Sequence, residues 1–178
     1  NKLQCQIEFM INNNNEYAAC YTDYYEIDKS GRILRDIESP WYPRAQAIWV
    51  LMRNVYINGS TMLINRKCFE TLGNFSEKLR YTQDAEMWLR ILRHFSIGRV
   101  PEKLGKLRFH SAQVSMNRKI HSGEARAMLR DVFDELIENG IFPVASAHAD
   151  ANRRLATSYE WFGDVMRVNH KCFDLADE

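Results

Sequence analysis

The run Tyr81–Phe95, YTQDAEMWLRILRHF, constrains the fold more than any other stretch of the chain. Trp88, Ile91 and Phe95 recur three and four residues apart, the spacing that puts side chains on one face of a helix and packs that face into a core. Asp84 falls on the same face, in the first turn of a helix that follows Thr82. Thr82 stands where an N-cap is needed, its hydroxyl serving an orphan backbone N–H. The positive end of the helix favours a negative charge there by roughly 0.3–1 kcal/mol. A carboxylate at the mouth of a buried helix can take a proton from an incoming hydroxyl. Aspartate is also common in first turns for dipole reasons alone, and position by itself leans to that simpler reading.

Around this helix, strand and helix signals alternate. Leu3, Ile7, Met10 and Ile11 form a helical stripe, ended by the asparagine run 12–15. YAACYTDYYEID, from Tyr17, reads as a strand, and DKSGRI as a turn in which Gly31 supplies the permissive backbone while Asp28 and Ser30 bond their neighbours. Residues 32–46 carry two prolines and read as irregular; residues 47–57 fit helix or strand equally. NGSTMLINR reads as a turn and a buried strand, and KCFETLGNF as a short helix stopped at Gly73. Residues 97–110 read as strand, turn, strand, and 116–124 as a linker. Two helices are predicted after it, Glu124–Asn139 with a Met128–Ile137 apolar face, and about Ser146–Phe162. The alternation indicates an α/β fold, with too few strands for a complete doubly wound sheet. The chain opens without Met and as if already in a helix, so a fragment is expected.

Composition limits the partners. With 178 residues, 46% hydrophobic and 26% charged, the chain is globular, and a net charge of +1 disfavours nucleic acid or an anionic membrane as main partner. Cys5, Cys20, Cys68 and Cys172 are scattered without a CxxC, which reads as reduced thiols in a cytoplasmic protein. No apolar run approaches the ~20 residues of a membrane span.

NGSTMLINRKCFETLGNFSEKLRYTQDAEMWLRIL resembles the second half of the family 2 glycosyltransferases, which have the GT-A fold. The family pattern is a small-residue strand, then R-x-x-F-x-x-x-G-x-F, then [EQ]-D-x-[ED]-[LM]-W-x-R. This chain supplies Gly59, Ser60, Thr61, Arg66, Phe69, Gly73, Phe75, Gln83, Asp84, Glu86, Trp88 and Arg90. NKLQCQIEFM is similar to the helix after the family's metal-binding DxD loop. YTDYYEIDKSGRI is similar to the strand and turn beyond it, and LGKLRFHSAQVS to a late strand ending R-x-H-x-x-x-x-S. The resemblance covers about residues 1–117.

The resemblance implies an inverting glycosyltransferase, moving a sugar from a nucleotide-sugar donor, a UDP-sugar by preference, to a hydroxyl acceptor in polysaccharide, glycolipid or glycoconjugate synthesis. Asp84 matches the base that deprotonates the acceptor. Gly59, Ser60, Thr61, Gln83, Trp88 and Arg108 match substrate-binding positions, with Gln83 orienting by hydrogen bond. Trp88 also reads as plain core. Arg108 suits phosphate and His110 suits a metal, both at the end of the late strand, where a solvated strand end is an equal reading. The divalent cation, Mg²⁺ or Mn²⁺, is expected mainly on a DxD loop absent from this sequence. Asp23 and Asp28 are too far apart to replace that loop and read as structural, and Arg90 reads as an ion-pair partner of Glu86.

The expected architecture is therefore the acceptor-side half of a GT-A, Rossmann-like domain over 1–117, with a small mixed sheet, and a helical extension over 118–178. Alone, the piece is expected to be inactive and to self-associate through uncovered apolar surface. A cytoplasmic location is expected, extending to peripheral association at the inner membrane face. A reading from another class is a non-catalytic sugar-binding or protein-interaction module on the same fold. A third, a metal-dependent hydrolase using Asp84, Glu86 and His110, is weaker, because residues two apart on a helix do not face each other.

Overall fold

The computed structural model describes residues 1–109, 118–143 and 146–174. The elements are α1 (Lys2–Asn12), β1 (Tyr17–Ile27), β2 (Ile33–Ile37), α2 (Arg44–Arg53), a 3-10 turn (Gly59–Thr61), β3 (Leu63–Ile64), α3 (Arg66–Leu72), α4 (Gln83–His94), β4 (Ser96–Arg108), α5 (Arg118–Glu138) and α6 (Ala151–Asp174). This is the expected α/β class, a small mixed sheet with helices around it.

β1 is the centre of the sheet. One edge pairs antiparallel with β3 at Ala19 and Cys20, and with β2 from Tyr24 to Ile27. The other edge pairs parallel with β4 along its length, from Tyr17 opposite Ser96 to Ile27 opposite Arg108. A strand covered on both faces loses its polar alternation, and β1 is buried from Ala19 to Asp23. Its neighbouring side chains still divide between the two faces. Ala19 and Tyr21 join the main core with α2, α4 and α5, whereas Cys20 joins Met10 of α1 and Val100 of β4.

Several local expectations hold. Asn14 and Asn15 adopt left-handed backbone (φ 52° and 54°) at the end of α1, and Gly31 and Gly73 take φ 90° and 82°. Asp28 accepts from the backbone of Ser30 and Arg32 and from the Ser30 hydroxyl, closing the turn after β1. Asp23 is buried against Arg99, with Nε and Nη2 at 3.0 and 2.6 Å, and also accepts from Ser39 N. Both aspartates are thus structural. Cys5, Cys20 and Cys68 are free thiols.

Other expectations change. Residues 32–46 are irregular only in part: 38–43 have no regular structure, but Ile33–Ile37 form β2 by pairing with β1, and Arg44 opens α2. Residues 47–57 resolve as helix through Arg53, because Trp49, Leu51 and Met52 bury against the sheet and α4. NGSTMLINR yields a 3-10 turn and a two-residue strand. Residues 96–108 are one strand, not two: the register jumps from Thr22 opposite Val100 to Asp23 opposite Lys103. That irregularity absorbs Pro101, which has no N–H to give a ladder. The linker expected at 116–124 is helical from Arg118, and the last helix starts at Ala151 rather than near Ser146.

The helices of residues 118–174 share the main core. Met128, Leu129, Val132, Phe133 and Leu136 are buried in it. Phe133 stacks on Phe162 at 4.1 Å, and Trp161 meets Trp49 edge-on at 5.3 Å.

Candidate active site

The motif from Arg66 to Arg90 builds a frame and then aims one carboxylate out of it. Phe69 lies 5.8 Å from Phe75, and Phe75 meets Trp88 edge-on at 6.0 Å, so the aromatic spacing packs α3 and its exit loop onto α4. Arg90 forks onto Glu86, with Nε–Oε1 at 2.9 Å and Nη2–Oε2 at 2.5 Å. Its guanidinium also donates to Leu72 O and Asn74 O at 2.7 and 3.1 Å. Leu72 is the last residue of α3, where helix carbonyls have no intrahelical partner, and Asn74 follows the Gly73 cap. Glu86, Trp88 and Arg90 are thereby consumed in structure; Trp88 is 1% exposed.

Gln83 and Asp84 remain. Both line a cavity of about 470 Å³ between the C-terminal end of α2, the lead-in to α4 and the middle of α5. Leu51, Met52, Leu89, Met128 and Leu129 make its walls apolar, while Arg53, Asn54 and Arg80 join the two motif residues as polar lining. Asp84 is half-buried in the first turn of α4. Its Oδ1 accepts from Ala85 N at 2.7 Å, which fixes the rotamer. A hydroxyl approaching Oδ2 would meet a carboxylate already oriented.

Gly59 stands beside it. A Cβ built on Gly59 would lie 3.6 Å from Asp84 Oδ2 and 3.7 Å from Trp88 Cζ2. The 3-10 turn is held from within and from α1. Asn58 Oδ1 accepts from Ser60 N, and the Thr61 hydroxyl donates to Asn58 O at 2.7 Å. Lys2 Nζ donates to Ser60 O at 2.8 Å, and the fully buried Gln6 donates to Thr61 O and Cys20 O. Gly59 and Ser60 are exposed and Thr61 is buried; none of the three lines the cavity itself.

The structure does not bring every expected residue to this place. Arg108 donates to Asp28 O and Lys29 O, both at 2.8 Å, across the β1–β2 turn, and no β4 residue lines the Asp84 cavity. His110, and the Ser115 that ends the same motif, lie outside the described residues. Among the described residues no three His, Cys, Asp or Glu side chains come together to hold a metal ion.

Two residues escaped sequence reasoning. Gln6 left a faint signal, a polar side chain one turn before Met10 on the packed side of α1. Glu124 left none. It accepts from the backbone N–H groups of Arg80, Tyr81 and Thr82 and from the Thr82 hydroxyl, from 42 residues beyond Thr82. Thr82 thus makes no side-chain cap of α4, as its hydroxyl is given to Glu124. Partial burial opposes the Glu124 charge, but these hydrogen bonds outweigh it and hold the carboxyl below the usual range.

The chain is similar to proteins named uncharacterized glycosyltransferases. It is 32% identical to one from Rickettsia felis over 142 residues, 78% of this chain and 23% of that one. A Rickettsia bellii protein gives 32% over 142 residues, 78% of this chain and 20% of its own length. One from Rickettsia conorii gives 31%, with 78% and 23% covered. The chain thus spans roughly a quarter or less of these relatives. No family model matches it. Relatedness to proteins named as glycosyltransferases is established at this level, and no helix among the described residues is long and apolar enough to cross a membrane.

Proposed function

We propose that this chain is the acceptor-side part of an inverting glycosyltransferase of the family 2, GT-A type, with Asp84 as base. One observation carries the reading: Asp84 lines a largely apolar cavity, its Oδ1 accepts from Ala85 N, and its Oδ2 lies 3.6 Å from where a side chain on Gly59 would begin. Oδ2 takes the proton of the acceptor hydroxyl, and the freed oxygen bonds to the anomeric carbon. The bond to the donor's diphosphate breaks on the opposite face, its electron pair leaving with the phosphate oxygen. Gln83 orients the acceptor. A UDP-sugar is the donor, and polysaccharide, glycolipid or glycoconjugate synthesis at the cytoplasmic side of a membrane is the setting. The relatives' names support glycosyl transfer in general. A divalent cation would be held by a DxD loop outside this sequence.

The test is Asp84→Asn in the whole protein. The amide keeps the shape but is no useful base, so transfer falls by about 10²–10⁴-fold while UDP-sugar affinity, read by calorimetry, is unchanged. Near-normal turnover would remove Asp84 from the mechanism and favour a non-catalytic module.

A further inference from the structure

The segment leading into α4 presents three consecutive backbone N–H groups, from Arg80, Tyr81 and Thr82, before the first helical residue. Such groups must find partners when they sit against a folded surface. Glu124 satisfies all three. Its Oε2 accepts from Arg80 N at 2.7 Å; Oε1 accepts from Tyr81 N, Thr82 N and the Thr82 hydroxyl, each at 2.7 Å. Gln83 and Asp84 are the next two residues along the chain. On the other side, Ala125 follows Glu124 directly and lines the same cavity with Met128 and Leu129. One carboxylate therefore joins the α5 wall of the cavity to the backbone that carries its acid.

We propose that Glu124 is the positioning residue for Asp84, and that α5 completes the acceptor site. This rests on Asp84 being the base. A base must be held within a fraction of an ångström of its working geometry, and a misplacement of about 1 Å can cost ~10²-fold in rate. The first turn of α4 takes its position from the residues just before it. Without Glu124 that segment loses four charge-assisted hydrogen bonds at once. A role confined to holding α5 on the core would instead be carried by Met128, Leu129, Val132, Phe133 and Leu136, all buried.

Two variants of the whole protein test this. Glu124→Gln keeps the size but replaces one acceptor with an N–H₂ group facing backbone donors. Glu124→Ala removes all four bonds. Hydrogen exchange read by mass spectrometry over residues 79–86 should rise about tenfold or more in Glu124→Ala, and less in Glu124→Gln, with α6 unchanged. UDP release is then measured with whichever of UDP-glucose, UDP-galactose and UDP-N-acetylglucosamine the wild type turns over. kcat should fall about 10–100-fold, with KM for the donor within about twofold. Unaltered exchange over 79–86 in Glu124→Ala overturns the inference whatever the donor. A loosened segment with full kcat overturns it too, as does deprotection spread evenly over α5, α6 and the core. An ineffective Asp84→Asn would instead overturn the assignment of the base, and leave the clamp itself readable by exchange.

Discussion

Asp84 Oδ2 lies 3.6 Å from the point where a side chain on Gly59 would begin, so the open flank of the carboxylate is the missing Cβ of its neighbour. That distance is an ordinary van der Waals contact. A methyl group therefore fits without moving anything, yet takes the space a substrate hydroxyl would use. In Gly59→Ala the melting temperature should stay within about 2 °C of wild type. Turnover in the whole protein should fall by about tenfold, equivalent to ~1.4 kcal/mol in the barrier. Thermal unfolding and initial rates check the two halves; full activity would mean that acceptors do not reach Asp84 from the Gly59 side.

Asp23 and Arg99 form an ion pair that is unevenly buried: the side chains are 3% and 25% exposed. Removing the arginine strands a carboxylate in the interior, whereas removing the carboxylate leaves a guanidinium that can still find water. Arg99→Leu should therefore destabilise by about 3–5 kcal/mol. Asp23→Asn, which keeps an acceptor for Ser39 N, should cost about 1–3 kcal/mol. Urea unfolding of both variants reads the difference. Equal losses would contradict the asymmetry.

Gly98 of β4 packs closely against Phe9 of α1. A Cβ there would sit 2.5 and 2.9 Å from Phe9 Cε1 and Cζ, and 3.0 Å from Tyr17 Cδ2. Phe9 stacks on Tyr17 at 5.4 Å and cannot withdraw without breaking that pair. Gly98→Ala should cost about 1–3 kcal/mol through overpacking. Phe9→Leu in the same chain should recover part of it. Strict additivity of the two substitutions would show that the contact carries no strain.

α1 is apolar on both sides. Met10 is buried toward the sheet, while Leu3, Ile7 and Ile11 are 56%, 49% and 60% exposed at intervals of four residues. Isolated exposed apolar residues are normal, but a continuous stripe seeks cover. We expect the 178-residue chain to self-associate at micromolar concentration, and Ile7→Lys with Ile11→Glu to return it to monomer. Sedimentation velocity decides: a monomeric wild type, or an undiminished oligomer in the double variant, would defeat this.

The sequence by itself determined what short-range physics controls. The helix at Gln83–His94, with Asp84 in its first turn, follows from apolar spacing. The Glu86–Arg90 pair follows from neighbours four apart on a helix. Gly31 and Gly73 follow from the backbone conformation each turn demands. All of these depend on residues within about one turn of each other.

Only the tertiary structure decided the rest. Residues 47–53 are helical because a core exists for Trp49, Leu51 and Met52 to enter. Ile33–Ile37, nearly all exposed, are a strand because β1 offers an edge. β4 runs through Pro101 because its partner allows a break in register. Arg108 closes a turn, and Glu124 holds the backbone before Asp84 from 42 residues beyond Thr82. In each case the deciding partner is distant in the chain. Side-chain spacing records which residues want burial or a hydrogen bond; which distant group supplies it is settled only when the chain closes on itself.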